Sequence, residues 1–270
     1  MPLKCYVHYR GVNVDEYNVD EFREQMSMEL WSAPTPNGWK ISIMLEELAE
    51  AGIELDVSVR TINLSAGEQF AEDFVARNPN SKIPVLKDGD LCIPESCAIL
   101  HYLADKYPTA LLPAENQRRW DILSWVYWQA ANLGPVFGNK LSYTRYMPDV
   151  DPVQKEHPLK RFGTEALRLV AVLDTKLGDQ PYVCGDFSIA DIAIYPWIRG
   201  YKWSKVDITT RPRVEAWMHR VRARPGVARG IAYGVPEDEK DTWSAERKAQ
   251  YARGGASIAS DNVASGEPPE

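Results

Sequence analysis

Cysteine and histidine are scarce in this sequence, at four each in 270 residues. Cys5, Cys92, Cys97 and Cys184 are scattered with no C-x-x-C pair, which argues against a disulfide framework and against a self-contained dithiol redox site. Any thiol chemistry is expected to use a borrowed thiol. His8, His101, His157 and His219 are equally dispersed. Cys97 and His101 stand four apart on an expected helix, but two ligands are too few for a site, and no metal is expected. Positive charge is also short: 31 lysines and arginines face 38 acids, a formal net charge of -7, with no long basic run. Nucleic acid is therefore not an expected partner. No apolar stretch approaches the length of a bilayer span, and the polar N-terminus carries no signal-peptide pattern. The expectation is a cytoplasmic protein with no membrane association.

A hydrophobic content of 44% provides for one large domain or two small ones with real cores. Residues 1–27 read as a polar, acidic extension with a strand around Cys5 to Tyr9. Met28 to Ser32 reads as a strand, and Gly38 to Ala51 as a helix with Ile41, Met44, Leu45 and Leu48 on one face, closed by Gly52. A strand over Ile53 to Arg60 and a short helix over Gln69 to Ala76 follow, then two short strands about the turn Lys87 to Asp90. A helix carrying Ala98, Ile99, Tyr102 and Leu103 comes next. The order β-α-β-α-β-β-α over residues 28–106 is a thioredoxin-like layout. Residues 107–114, with two prolines, read as a linker. Residues 115–234 are all-helical in character. They comprise an aromatic-rich helix from Glu115 to about Lys140 with Trp120, Trp125, Tyr127 and Trp128, a helix over Leu159 to Leu177, and one carrying Val214, Trp217, Met218 and Val221. Ser188 to Asp191 forms a capping box, with Phe187 and Ile192 as its hydrophobic staple. Residues 235–270 read as a polar tail.

Two dipeptides carry the binding chemistry. Ile83-Pro84 follows the turn-rich run Asn78-Pro79-Asn80-Ser81-Lys82. A proline cannot donate to a sheet ladder, and a cis bond before it turns the backbone outward, leaving the N–H and C=O of Ile83 free to pair with an extended peptide. Glu95-Ser96 opens a helix, so Ser96 offers a hydroxyl and first-turn N–H groups to a carboxylate, while Glu95 offers a negative charge to an ammonium. Taken singly, each dipeptide is also explained as an edge-strand proline or a helix cap. Taken together, they fit the two ends of one small peptide.

These dipeptides and Ser188-Ile189-Ala190-Asp191 resemble the glutathione transferase superfamily over roughly residues 28–233. Within it, the chain resembles the bacterial nu class and the related fungal nitrogen-regulator branch, through Ala33-Pro34-Thr35-Pro36-Asn37-Gly38, Gly67-Glu68-Gln69-Phe70, Trp128-Gln129 with Gly134-Pro135, and Arg161-Phe162 with Glu165. The resemblance implies a glutathione-binding homodimer in which a thioredoxin-like domain precedes a helical bundle. It also implies that Gln69 and Arg161 approach glutathione, that Ile83 supplies backbone pairing beside Pro84, and that Glu95 and Ser96 hold the amino-acid end; Lys82 can neutralise a carboxylate. One departure concerns the segment after Gly134-Pro135, where nu-class chains often carry a histidine-containing string and this chain reads Gly138-Asn139-Lys140-Leu141-Ser142-Tyr143. Tyr143, Tyr146 and Trp203 are candidates to line an acceptor pocket, although packing explains each equally well.

The chemistry is expected at Thr35-Pro36-Asn37-Gly38, between the first strand and the first helix. There the Thr35 hydroxyl, the Asn37 amide and helix N–H groups can favour a bound thiolate over a thiol. The turn is also a plain prolyl and Asn-Gly turn in local terms. The leading expectation is a glutathione-dependent disulfide-bond reductase. Glutathione conjugation to an aromatic electrophile or thiolytic aryl-ether cleavage is the enzymatic alternative, and a glutathione-binding regulatory protein with little turnover is the other.

Overall fold

The computed structural model of the chain describes residues 28–114, 116–147 and 150–233. The strand expected around Cys5 to Tyr9 and the tail expected from residue 235 lie outside the described residues. The first half consists of β1 (Met28–Ser32), α1 (Pro36–Glu50), β2 (Val57–Thr61), the single turn α2 (Glu72–Val75), β3 (Val85–Asp88), β4 (Leu91–Pro94) and α3 (Ser96–Lys106). Its sheet has the order β2-β1-β3-β4. β1 and β2 run parallel, which requires the crossover that α1 provides, whereas β3 is antiparallel to both β1 and β4. The two-residue period of a strand divides β1 and β3 between the two faces. Met28, Leu30 and Leu86 join the large core under α1 and α3, and Trp31 and Val85 close a small cluster with Ile62 and Phe74 on the other side. This is a thioredoxin-like sheet with helices on its faces.

In this half, three boundaries differ from the sequence reading. α1 starts at Pro36 rather than Gly38, because the Thr35 side chain caps the helix and proline fits its first position. The second strand is confined to Val57–Thr61, since the Ile53 N–H is used to close α1 on the Leu48 carbonyl. The helix expected over Gln69 to Ala76 is broken at Ala71, whose extended backbone separates a 3-10 turn at Glu68–Phe70 from α2.

The second half is helical: α4 (Gln117–Trp128), α5 (Gly134–Leu141), α6 (Pro152–Leu177), α7 (Ile189–Arg199), α8 (Pro212–Arg222) and α9 (Pro225–Ala232). The helix expected to about Lys140 is a longer rod. α4 passes through a π-helical turn at Gln129–Leu133 into α5 and then through another at Ser142–Tyr146. Pro135 has no N–H to give the preceding turn, and a widened turn accommodates that loss. The capping box is present: Ser188 Oγ accepts from the Ala190 N–H, while the Asp191 carboxylate accepts from the Ser188 N–H at 3.0 Å.

The two halves share one core. Residues 107–114 contain no helix or strand, yet they bury Leu111 and Leu112, and the Leu111 carbonyl accepts from the Ile189 N–H at the start of α7. α9 returns to lie against α1. Ser42 Oγ donates to the Gly230 carbonyl at 2.6 Å, Arg224 forms a two-pronged ion pair with the buried Glu47, and Arg229 pairs with Glu46 and Glu50. Among the described residues, no helix is long and apolar enough to cross a membrane.

Candidate thiol-peptide site

The turn from β1 into α1 places two polar side chains whose acceptor atoms are already used. Thr35 is the N-cap of α1, with extended backbone, and its Oγ1 accepts from the Gly38 N–H at 3.2 Å. Its hydroxyl proton remains available. Asn37 Oδ1 accepts from the indole N–H of Trp197, on α7, at 3.2 Å. An indole only donates, so the Asn37 oxygen must face it and the NH2 group must face away. Both side chains are half-buried. The turn tolerates no side chain at Gly38, where a Cβ would lie 2.0 Å from the Ala33 carbonyl oxygen and 2.7 Å from Ser32 Oγ. The Thr-Pro-Asn-Gly string thus supplies a cap, a helix-compatible proline, an oriented amide and a close backbone approach.

The peptide between Ile83 and Pro84 is cis. β3 begins only at Val85, and no main-chain hydrogen bond ties Ile83 to the sheet among the described residues. The loop before it is set by buried Asn78, whose Nδ2 donates to the Lys82 carbonyl at 2.7 Å and whose Oδ1 accepts from the Asn80 N–H at 3.0 Å. Lys82 itself is exposed. The protein wall beside it depresses its ammonium pKa, and the negative charge of Glu95 partly offsets that effect.

Glu95 and Ser96 give α3 no side-chain cap. Glu95 occupies the N-cap position of α3 with φ of 73°, an uncommon conformation for a residue with a side chain, and no side chain caps that end. Ser96 is buried and turned toward α1, where Lys40 Nζ donates to its Oγ at 3.1 Å. Lys40 is itself buried and also donates to Gln129 Oε1 at 2.5 Å, in the first π-helical turn of the helical half. Burial lowers the Lys40 pKa, an effect opposed by nearby Cys97 and Glu95. Gln69 is buried in the 3-10 turn rather than exposed to solvent as a long polar side chain usually is.

The candidate acceptor residues divide. Tyr146 lies beside Trp203, whose ring is covered by Arg145 with its guanidinium 4.5 Å from the centroid, and burial pushes the Tyr146 phenol up. Tyr143 instead stacks on Phe162 of α6, with centroids 6.0 Å apart. The i→i+5 bonding of the π turn spreads residues that an α-helix would align, so 143 and 146 do not share a face. Arg161 is exposed on α6, with a long contact of 3.9 Å to Glu165.

Two residues outside the sequence reading, Trp197 and Lys40, complete the arrangement, together with Asn78, which the sequence reading placed only in a turn. Lys40 carried a readable signal, since it stands four residues before Met44 on the buried stripe of α1. Trp197 had none, because its partner lies 160 positions away. The described cysteines do not supply a redox pair: Cys92 is exposed, Cys97 is buried against Lys40, and burial pushes the Cys184 thiol far up.

Comparison with known proteins identifies the family. Residues 26–105 match the glutathione S-transferase N-terminal domain, and residues 137–225 match the glutathione S-transferase C-terminal domain. The disulfide-bond oxidoreductase YfcG of Escherichia coli is 35% identical over 222 residues, spanning 79% of this chain and 98% of that protein. The disulfide-bond oxidoreductase YghU of the same organism is 37% identical over 219 residues, spanning 75% and 73% respectively. A glutathione transferase family member from Pseudomonas fluorescens, solved with two glutathione bound, superposes with a TM-score of 0.68 at 34% identity, covering 76% of this chain and 92% of that one. With both of its halves matched and YfcG, 35% identical, spanned over 98% of its length, the chain belongs to the glutathione S-transferase family, in its nu-like class.

Proposed function

We propose that the protein is a glutathione-dependent disulfide-bond reductase. The observation that carries this reading is the shared state of Thr35 and Asn37: each has its acceptor atom occupied by a protein donor and its own donor left for a ligand, at the positive end of α1. Donors so placed stabilise a thiolate over a thiol, and the thiolate is the attacking species. Glutathione lies with its cysteinyl backbone along Ile83, beside Pro84, and its γ-glutamyl end at Glu95 and Ser96. Gln69, Lys82 and Arg161 are assigned to its remaining polar groups. Tyr146 and Trp203 form one wall beside the acceptor, and Tyr143 stands at its edge.

The glutathione thiolate attacks one sulfur of the disulfide, forming a mixed disulfide and expelling the other sulfur as a thiolate. A second glutathione thiolate then attacks the glutathione sulfur of that mixed disulfide, releasing oxidised glutathione and the second product thiol. Protons from the two glutathione thiols end on the two product sulfurs. The chain has no cysteine in the Thr35 turn, so both electrons come from glutathione. The Pseudomonas relative, solved with two glutathione bound, supports a route that uses two. We place the enzyme in the cytoplasm as a homodimer.

The test is parallel turnover of a small disulfide and of a model aromatic electrophile, each with glutathione, by wild type and Asn37→Ala. Disulfide reduction is expected to dominate and to fall about 10–100-fold in the variant, the cost of losing one hydrogen bond to a charged sulfur. Faster conjugation than reduction would replace this reading with transfer to an electrophile. Tight glutathione binding without turnover would make the protein a glutathione sensor.

A further inference from the structure

Lys40 is buried to 1% exposure, and no carboxylate lies within its hydrogen-bond reach among the described residues. Its side-chain nitrogen donates to three partners, none of them a carboxylate: Ser96 Oγ at 3.1 Å, Gln129 Oε1 at 2.5 Å and Cys97 Sγ at 3.6 Å. The carboxylate closest in its electrostatic effect belongs to exposed Glu95. A structural bridge between α1, α3 and the first π-helical turn needs no net charge, and a buried cation without a counter-ion is costly. No carboxylate hydrogen-bonded to Lys40 among the described residues offsets that cost, and an anion bound at Ser96 would.

We propose that Lys40 is a positioning residue for the γ-glutamyl α-carboxylate of glutathione, occupying an acceptor site of Ser96 Oγ from the protein side so that its O–H is free to donate outward, and supplying the positive charge that this carboxylate neutralises. The inference rests on the assignment of glutathione to Ser96 given above. A hydroxyl has one proton and two lone pairs, so accepting from Lys40 on the protein side turns the Ser96 O–H toward the open first turn of α3, where no side chain competes as a cap. Ser96 is then in the same state as Thr35 and Asn37. Gln129 belongs to the helical half, so the carboxylate grip is braced from both halves of the molecule.

The experiment measures glutathione KM, kcat and equilibrium binding for wild type, Lys40→Met and Gln129→Glu, together with binding of 4-aminobutyryl-cysteinyl-glycine, the glutathione analogue without that α-carboxylate. Lys40→Met keeps the length of the side chain and removes its charge; Gln129→Glu leaves Lys40 in place and gives it an internal counter-ion. In both variants glutathione KM and Kd are expected to rise at least about tenfold, as for loss of a charge-assisted contact, with a much smaller change in kcat. Analogue affinity is expected to stay within about threefold of wild type, because the analogue has no α-carboxylate for Lys40 to serve. If Lys40→Met does not fold, Gln129→Glu carries the test alone. Equal loss for glutathione and the analogue, or unchanged glutathione affinity in both variants, overturns the role of Lys40 while leaving the glutathione site standing. A wild-type protein that binds neither peptide overturns both.

Discussion

Thr35, Asn37 and Ser96 present the same solution to one problem. A small polar side chain can accept or donate, and an anion-binding site needs only the second. Gly38 N–H, the Trp197 indole and the Lys40 ammonium each occupy the acceptor from the protein side, which leaves the donors for a ligand. Asp191 shows the opposite case, an acceptor saturated by donors for the sake of the fold. Its carboxyl accepts from the Val183 and Ser188 N–H groups at 3.0 Å each and from the Trp217 indole at 2.8 Å. Burial nevertheless outweighs those bonds and pushes the carboxyl up to about 6. Because the folded value lies above the unfolded one, near 4, this group's stabilisation is fully present below about pH 4 and is lost as pH rises through about 6. Asp191→Asn removes the titration. Denaturant unfolding of both proteins between pH 4 and 7 should show wild-type stability falling with pH relative to the variant, by on the order of 2–3 kcal/mol. A rise instead would mean that the hydrogen bonds outweigh burial.

Helices α1 and α9 are the elements that make one molecule of two halves. They approach closely at Gly230, where a Cβ would lie 2.5 Å from the Ile43 Cα and 2.6 Å from its main-chain N. Neither neighbour is a flexible side-chain tip, so a methyl group there must push the helices apart. Gly230→Ala should therefore cost about 3 kcal/mol of unfolding free energy, from overpacking together with displacement of the Ser42 hydrogen bond to the Gly230 carbonyl. Chemical denaturation reads this directly, and a loss below about 0.5 kcal/mol would show that the helices can separate freely. Elements of this kind explain what was legible in the sequence. Helix faces such as Ile41, Met44 and Leu48 repeat with the helical period, and Ser188 to Asp191 is a local cap, so both can be read along the chain. The break at Ala71 and the π-helical turns leave no periodic trace. Nor does the contact of Asn37 with Trp197 or of Lys40 with Gln129, since each is made by residues far apart in sequence that only the finished fold brings together.

At the scale of the whole molecule, the candidate site lies on the seam between sheet and helices. The sheet half contributes Thr35, Asn37, Ile83, Glu95 and Ser96, and the helical half aims two of them through Trp197 and Gln129 by way of Lys40. The dipeptides Ile83-Pro84 and Glu95-Ser96 were legible because a proline and a helix start leave local signatures. The residues that orient the donors were not, because orientation is a property of both halves together. The central claim is that this seam holds a glutathione sulfur as a thiolate. The most direct measurement is a pH titration of the bound thiol by its ultraviolet absorbance in wild type, Asn37→Ala and Trp197→Phe. The bound thiol is expected to titrate about two pKa units below its free value of about 8.5, and to move back by about one unit or more in Asn37→Ala and by less in Trp197→Phe. A bound thiol that titrates like the free one, or the same value in all three proteins, would contradict the account.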